Sequence, residues 1–380
     1  MTVSSFFSRE SNSIFVPEQR KKYGAEANPP PAKWTPFERT VHNLFHTIDM
    51  VDENSQTELH RCAQSDKDVQ PLLNAGANIE LKDDHGRTPL FYAVQCSNYV
   101  NVERLMHAGA NIHGTDLDGQ TLLHVALEKG DPDIIEALLT AGINKNITEN
   151  GKGPLHIFYD YYTSKIVDLY HNLNKAFLLC KFRQQRIEPW ASSSKKVNPI
   201  ELRDSTHKEI ESLNRQAFSV IWILLKAGIS IDEPNEYGET ILMHAARFNY
   251  ADSKFIQFLI KKGAKVNATD NFSKIPLLHA LGNRSTEAAR ILLKAKADVN
   301  TLSERDGTPL HLAASYWQPE IIPALLDAGA DTEALDLKGK SVLDVVYEKE
   351  NKNVLKNMIL THEFKTYEEI LMSYLSLEEK

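Results

Sequence analysis

A seven-residue phrase recurs along these 380 residues at a near-constant step, so the chain must fold as one small unit stacked on copies of itself. The clearest copy is Thr308-Pro309-Leu310-His311-Leu312-Ala313-Ala314. Weaker copies begin at Thr57, Thr88, Thr121, Gly153, Thr240, Ile275 and Ser341. The steps from Thr88 to Thr121 and from Thr308 to Ser341 are both 33 residues. A second phrase, Leu-Leu-x-x-Gly-Ala, usually places its Gly 21 residues after the first phrase begins, as at Gly109, Gly142 and Gly329. Self-similarity at this period is the mark of a solenoid, in which each unit buries its apolar face against its neighbours.

Each part of the phrase has a physical role. Thr caps a helix by accepting from an orphan N–H, worth about 1 kcal/mol. Pro then occupies the first helical turn, where its missing donor costs nothing. Leu310 and the Ala pair let neighbouring helices approach closely, and the later Gly takes the left-handed conformation that ends the second helix. Asp-x-x-Gly, as in Asp83-Asp84-His85-Gly86 and Asp116-Leu117-Asp118-Gly119, turns the chain into the next copy. On these residues the chain resembles the ankyrin-repeat family over about residues 52–362. The resemblance implies an all-α solenoid of about eight helix-turn-helix repeats, used for binding rather than catalysis.

The departures from the pattern are informative. The first repeat is two residues short between Thr57 and Gly76, which predicts clipped helices. The fifth has a surplus at Phe248-Asn249-Tyr250-Ala251-Asp252, and the sixth lacks the capping Thr and carries Lys296 where Gly is expected. The fourth opens at Gly153-Pro154-Leu155-His156 but reaches Gly228 only 75 residues later, an excess of 54. Within that excess, Ile166, Leu169, Tyr170, Leu173, Phe177 and Cys180 follow helical spacing. Turn formers occupy 187–194, and Asn198-Pro199-Ile200-Glu201 has the form of a capping box. Residues 161–217 are therefore expected to insert an antiparallel helical hairpin into repeat four, about 30 Å long at 1.5 Å per residue.

That insertion carries ten Lys/Arg against six Asp/Glu, a net +4, whereas the rest of the chain nets −12. Lys181, Arg183, Arg186, Lys195 and Lys196 cluster with Trp190 at the expected tip. A solvated charge run is the simplest reading; the sharper one is docking of an acidic protein segment, RNA or an anionic lipid headgroup. Residues 1–34 read as extended or disordered, and 35–51 as an N-terminal capping helix carrying Phe37, Val41, Leu44 and Phe45. Residues 363–380 read as an acidic C-terminal helix or tail.

The net charge of −8 argues against non-specific nucleic-acid binding by the chain as a whole. No run of 18 apolar residues offers a membrane span. Cys62, Cys96 and Cys180 lie far apart without a CxxC pair, which suits reduced thiols in the cytoplasm. No cofactor, metal site or catalytic residue is expected, and a monomer is.

The histidines divide into two sets. His60, His124, His156 and His311 occupy the phrase's own His position, one per repeat and about 10 Å apart, and read as structural. His244 and His279 fall one place later, a position that is usually apolar, and are expected to pack there. Cys180 with His171 or His207 could pair as nucleophile and base, but no supporting motif accompanies them.

In the ankyrin family, partners meet the concave face formed by turn tips and first helices. Carried onto this chain, that pattern selects His85 and Arg87 in repeat two. It selects Tyr237, Arg247 and Phe248 in repeat five, Phe272 in repeat six, and Arg305, Tyr316 and Trp317 in repeat seven. Aromatic residues dominate interface hot spots. The leading expectation is a non-catalytic scaffold that binds a partner protein there, with the insertion as a second contact. The tail from Tyr367 to Lys380 is similar to glutamate-rich translocation signals of bacterial effectors. The alternative is thus a secreted effector that acts on host proteins in the host cytoplasm. The third reading is an unrecognised enzymatic activity in the insertion.

Overall fold

The computed structural model of this chain describes residues 48–185, 199–247 and 253–346, with side chains described for all of these except 174–185 and 199–203. The expected N-terminal segment, most of the N-terminal capping helix, the hairpin tip, Phe248 and the acidic tail lie outside the described residues. The described residues form fourteen helices and no strand beyond isolated bridges, so the fold is all-α. They fall into two compact units that divide after Ile147.

The first unit contains α1 (Glu58–Ala63), α2 (Gln70–Asn74), α3 (Pro89–Gln95), α4 (Tyr99–His107), α5 (Leu122–Lys129) and α6 (Pro132–Thr140). The two residues missing from repeat one shorten its second helix: α2 has five residues where α4 and α6 have nine. First helices stack on first helices (α1, α3, α5) and second on second (α4, α6). Leu59, Leu90, Leu105, Leu122 and Leu138 are fully buried between them.

The Thr and His of the phrase explain how the layers are tied. Thr57 caps α1, and the backbone N–H of Thr57 donates to His60 Nδ1 at 3.1 Å. The other ring nitrogen then donates to the Arg87 carbonyl of the next repeat at 3.1 Å. Thr308 and His311 repeat the arrangement, with Nε2 3.0 Å from the Lys340 carbonyl. Thr121 and His124 share the same capping box. These imidazoles are structural, as their position in the phrase implied.

The second unit contains α7 (Pro154–Gln185), α8 (Pro199–Lys226), α9 (Ile241–Arg247), α10 (Ser253–Lys261), α11 (Pro276–Gly282), α12 (Thr286–Lys294), α13 (Pro309–Ser315) and α14 (Ile322–Asp327). At 32 and 28 residues, α7 and α8 are three times the length of any other described helix. They pack on each other, and the Tyr162 hydroxyl in the first third of α7 donates to Asn214 in the second half of α8, as in an antiparallel pair. Tyr162 and Phe218 both stack on Phe255 of α10, at centroid separations of 5.1 and 6.1 Å. The eighth copy of the phrase reaches only its opening turn, Ser341–Asp344, within the described residues.

Two repeats of this unit break the Thr–His tie in complementary ways. Gly153 has no hydroxyl, and His156 Nδ1 is left buried without a partner. The Glu233 carboxyl occupies the space instead, 2.6 Å from where a Cβ on Gly153 would stand. Burial pushes the Glu233 carboxyl up. In repeat five Met243 replaces His, and Thr240 Oγ1 is the orphan. The left-handed position after the first helix is also compromised. Ser97, Arg284 and Trp317 take positive φ (54°, 55° and 48°) where Gly130 does so freely, and Lys296 does so (65°) at the second helix's Gly position.

Tyr159 is the largest fully buried side chain of the second unit, yet its hydroxyl has no hydrogen-bond partner. Tyr159→Phe removes an unsatisfied buried donor and keeps the ring's packing. It is expected to stabilise the protein by about 1–2 kcal/mol in a denaturant titration; a loss of stability would show that the hydroxyl is in fact satisfied.

Candidate functional site

A short polar side chain at the turn, Asp in most repeats, Asn235 in repeat five and Ser303 in repeat seven, builds the scaffold of the candidate surface. Asp270 Oδ1 accepts from the backbone N–H groups of Phe272 and Lys274, both at 2.8 Å. Asp83, Asp116 and Asp336 hold their own turns in the same way. One carboxylate oxygen thus fixes the turn tip and leaves the other free to meet side chains. The residue just before the Thr position then reaches toward the Asp of the following repeat. Arg87 pairs with Asp116 at 3.3 Å, and Lys274 pairs with Asp306 (whose Ser303 stands at the usual Asp place).

Between repeats five, six and seven this geometry opens a cleft of about 360 Å³. Arg247, Phe272, Arg305 and Tyr316 line it, together with Glu239, Asp270, Lys274, His279 and Asp306. The Arg305 guanidinium lies over the Phe272 ring at 4.6 Å, and Arg284 approaches the Tyr316 ring at 5.9 Å. Each aromatic face is therefore already paired with a cation.

The cleft floor is a buried polar network. Glu239 receives His244 Nε2 at 2.8 Å on one oxygen and Arg247 on the other. Burial pushes its carboxyl up, but the His244 hydrogen bond and the Arg247 charge outweigh that and hold it well below the usual carboxylate range. His279 Nε2 lies 2.9 Å from Asp270 Oδ2, and His279 Nδ1 lies 3.2 Å from Arg247 Nη2. Burial, aided by the Arg247 charge, lowers the His279 pKa. The neutral ring accepts from Arg247 and donates to Asp270. Both histidines are packed at that place, His279 buried and His244 half-buried, and each also engages a carboxylate there. At that place in repeat two, Tyr92 donates to Asp83 at 2.6 Å. The position faces the turn, so a polar residue there finds a carboxylate.

The other expected contacts are dispersed. Tyr237 is exposed at a turn tip, where its carbonyl accepts from Asn271 N–H at 3.0 Å, and it does not line the cleft. Trp317 is half-buried beside Tyr316. His85 and Arg87 belong to the first unit; His85 is exposed and Arg87 is engaged with Asp116. Lys181 and Arg183 fall on the far part of α7, with side chains outside the described set, and Arg186, Trp190, Lys195 and Lys196 lie outside the described residues. The same holds for the Cys180 side chain, while His207 is exposed 3.8 Å from Glu211. Asp270, His279, Arg284 and Asp306 join the cleft without a contact signal of their own in the sequence. The available signal was that His244 and His279 share the same displaced position in consecutive repeats.

Among the described residues, no helix is long and apolar enough to cross a membrane. A sequence profile described as ankyrin repeats matches residues 36–116, 101–169 and 250–336, more than half of the chain. The chain is 31% identical over 138 residues to "Ankyrin repeat, SAM and basic leucine zipper domain-containing protein 1" of Dasypus novemcinctus, covering 35% of this chain and 28% of that protein. It is 31% identical over 137 residues to "Neurogenic locus notch homolog protein 2" of Homo sapiens, covering 36% and 6%. It is 32% identical over 111 residues to "Ankyrin repeat and SOCS box protein 3" of Bos taurus, covering 28% and 21%. The chain spans less than a third of the length of each of these relatives.

Proposed function

Because this chain belongs to the ankyrin-repeat family, we propose that it is a non-catalytic scaffold that captures a partner protein on the turn-tip face of repeats five to seven. The observation that carries this reading is the cleft where Arg247, Phe272, Arg305 and Tyr316 converge. It offers two aromatic faces, four guanidinium or ammonium groups within reach, and a recessed polar floor. A partner segment with acidic and apolar residues meets complementary chemistry there, with Tyr237 contributing at the rim. Aromatic and Arg side chains supply most interface energy when a partner desolvates them.

The long pair α7 and α8 is read as an insertion in repeat four, spanning 161–217, that supplies a second contact through its basic tip. Comparing the intact chain with one lacking 161–217 separates the two surfaces.

The direct test replaces Tyr237, Phe272 and Tyr316 together with alanine. Recovery of the partner taken up by the intact chain should fall at least tenfold, with the far-ultraviolet circular dichroism unchanged. Undiminished recovery from a folded triple variant would place the interface elsewhere.

A further inference from the structure

The ladder of side chains between successive repeats contains one inversion of charge. At the step from repeat two to three the residue before Thr is Arg87, facing Asp116, and at the step from six to seven it is Lys274, facing Asp306. At the step from five to six it is Glu239, and the turn residue of the next repeat is Asp270. Where those two steps set a cation against a carboxylate, two buried carboxylates meet here, and the His279 imidazole joins them. One donor atom from each of Glu239, Asp270 and His279 lies within 4.8 Å of the others, and all three residues are buried.

Two unscreened carboxylates at that separation repel, so the site demands a cation. Arg247 supplies one in this structure: its Nη2 is bonded to Glu239 and lies 3.2 Å from His279 Nδ1. Its side chain is 40% exposed, so the guanidinium enters from the cleft and has solvent to retreat into. His244 holds the second Glu239 oxygen at 2.8 Å and so fixes the carboxylate's orientation from outside the cluster.

We propose that Glu239, Asp270 and His279 form a divalent transition-metal site, with Zn²⁺ the best match, in which the ion exchanges with the Arg247 guanidinium. One imidazole and two carboxylates are a donor set that Zn²⁺ accepts, and three protein ligands leave a fourth position open toward the cleft. Mg²⁺ and Ca²⁺ are hard cations that take oxygen ligands, so the His279 imidazole in the donor set selects against them. Exchange also sets a direction: Arg247 must move out, and the His279 proton must pass from Nε2, beside Asp270, to the Nδ1 that Arg247 vacates, before all three donors meet the ion.

The test is calorimetric titration of Zn²⁺ into the full chain, with Mg²⁺ in excess throughout. The wild type should show a site of unit stoichiometry and a rise in melting temperature on saturation. His279→Gln should weaken that site at least tenfold. Arg247→Gln should tighten it several-fold by removing the competing cation, which no purely structural role for Arg247 predicts. If His279→Gln fails to fold, the wild-type thermal shift and the Arg247→Gln affinity decide the matter. Absence of a unit-stoichiometry site in the wild type, unchanged affinity in folded His279→Gln, or weaker binding in Arg247→Gln would each overturn the proposal. No partner protein enters this assay, so its failure and that of the scaffold reading are separate results.

Discussion

Replacing Phe255 with alanine should cost about 3–5 kcal/mol and loosen the long helix pair before the rest of the second unit. Phe255 is fully buried on α10, and its ring is the junction at which three helices meet. Tyr162 and Tyr159 reach it from α7 at 5.1 and 5.4 Å, and Phe218 from α8 at 6.1 Å. Alanine would leave a cavity walled by three aromatic rings that cannot collapse without shifting α7 and α8. Denaturant titration should give the energy, and amide exchange should accelerate most in residues 154–173 and 204–226. Trp222 on α8 is the matched control, because it is 51% exposed and carries Lys262 over its ring at 3.6 Å. Its loss to alanine should cost about 1 kcal/mol or less. A Phe255→Ala cost as small as that of Trp222→Ala would mean that the aromatic cluster does not anchor the helix pair.

Acidification from about pH 6.5 to pH 4 should remove about 3 kcal/mol of stability through His156 alone. Burial, and next the neighbouring His244, lower the His156 pKa to about 4 from its ordinary 6.5. In that window the unfolded chain takes up a proton that the folded chain refuses, so stability falls as pH falls. Below about pH 4 both states are protonated and this contribution stops changing. His60 in the first unit shifts in the same direction, again chiefly through burial. The His156 ring should therefore remain neutral in nuclear magnetic resonance titrations well below pH 6, while denaturation midpoints drop. Titration of His156 near pH 6.5 with flat stability would contradict the buried, half-satisfied environment described for it.

The periodic phrase made the helix pairs legible because each of its residues performs a local task that tertiary context does not override. Thr57 and Thr121 cap, Pro89 and Pro309 begin helices, and His60 and His311 bond the capping Thr three residues before them, all within a few residues of their sequence position. The two long helices α7 and α8 were legible for the same reason, since helical spacing continues beyond Gly153. The cleft floor was not. Its meaning depends on which residue of one repeat faces which residue of the next, some 31 to 35 positions away. His244 and His279 at a nominally apolar place could be understood only once Glu239 and Asp270 were seen opposite them. The orphaned His156 and Thr240 have a local origin instead, because Gly153 lacks the hydroxyl and Met243 the ring that stand three residues away in the other repeats.

A partner bound by this scaffold should meet the cleft between repeats five and seven. A photo-crosslinking amino acid placed singly at position 272 or 316, and at 222 on the second-helix side as control, would map that contact. Adducts with the captured protein from 272 and 316, and none from 222, are the predicted result. Adducts from 222 with none from either cleft position would contradict it.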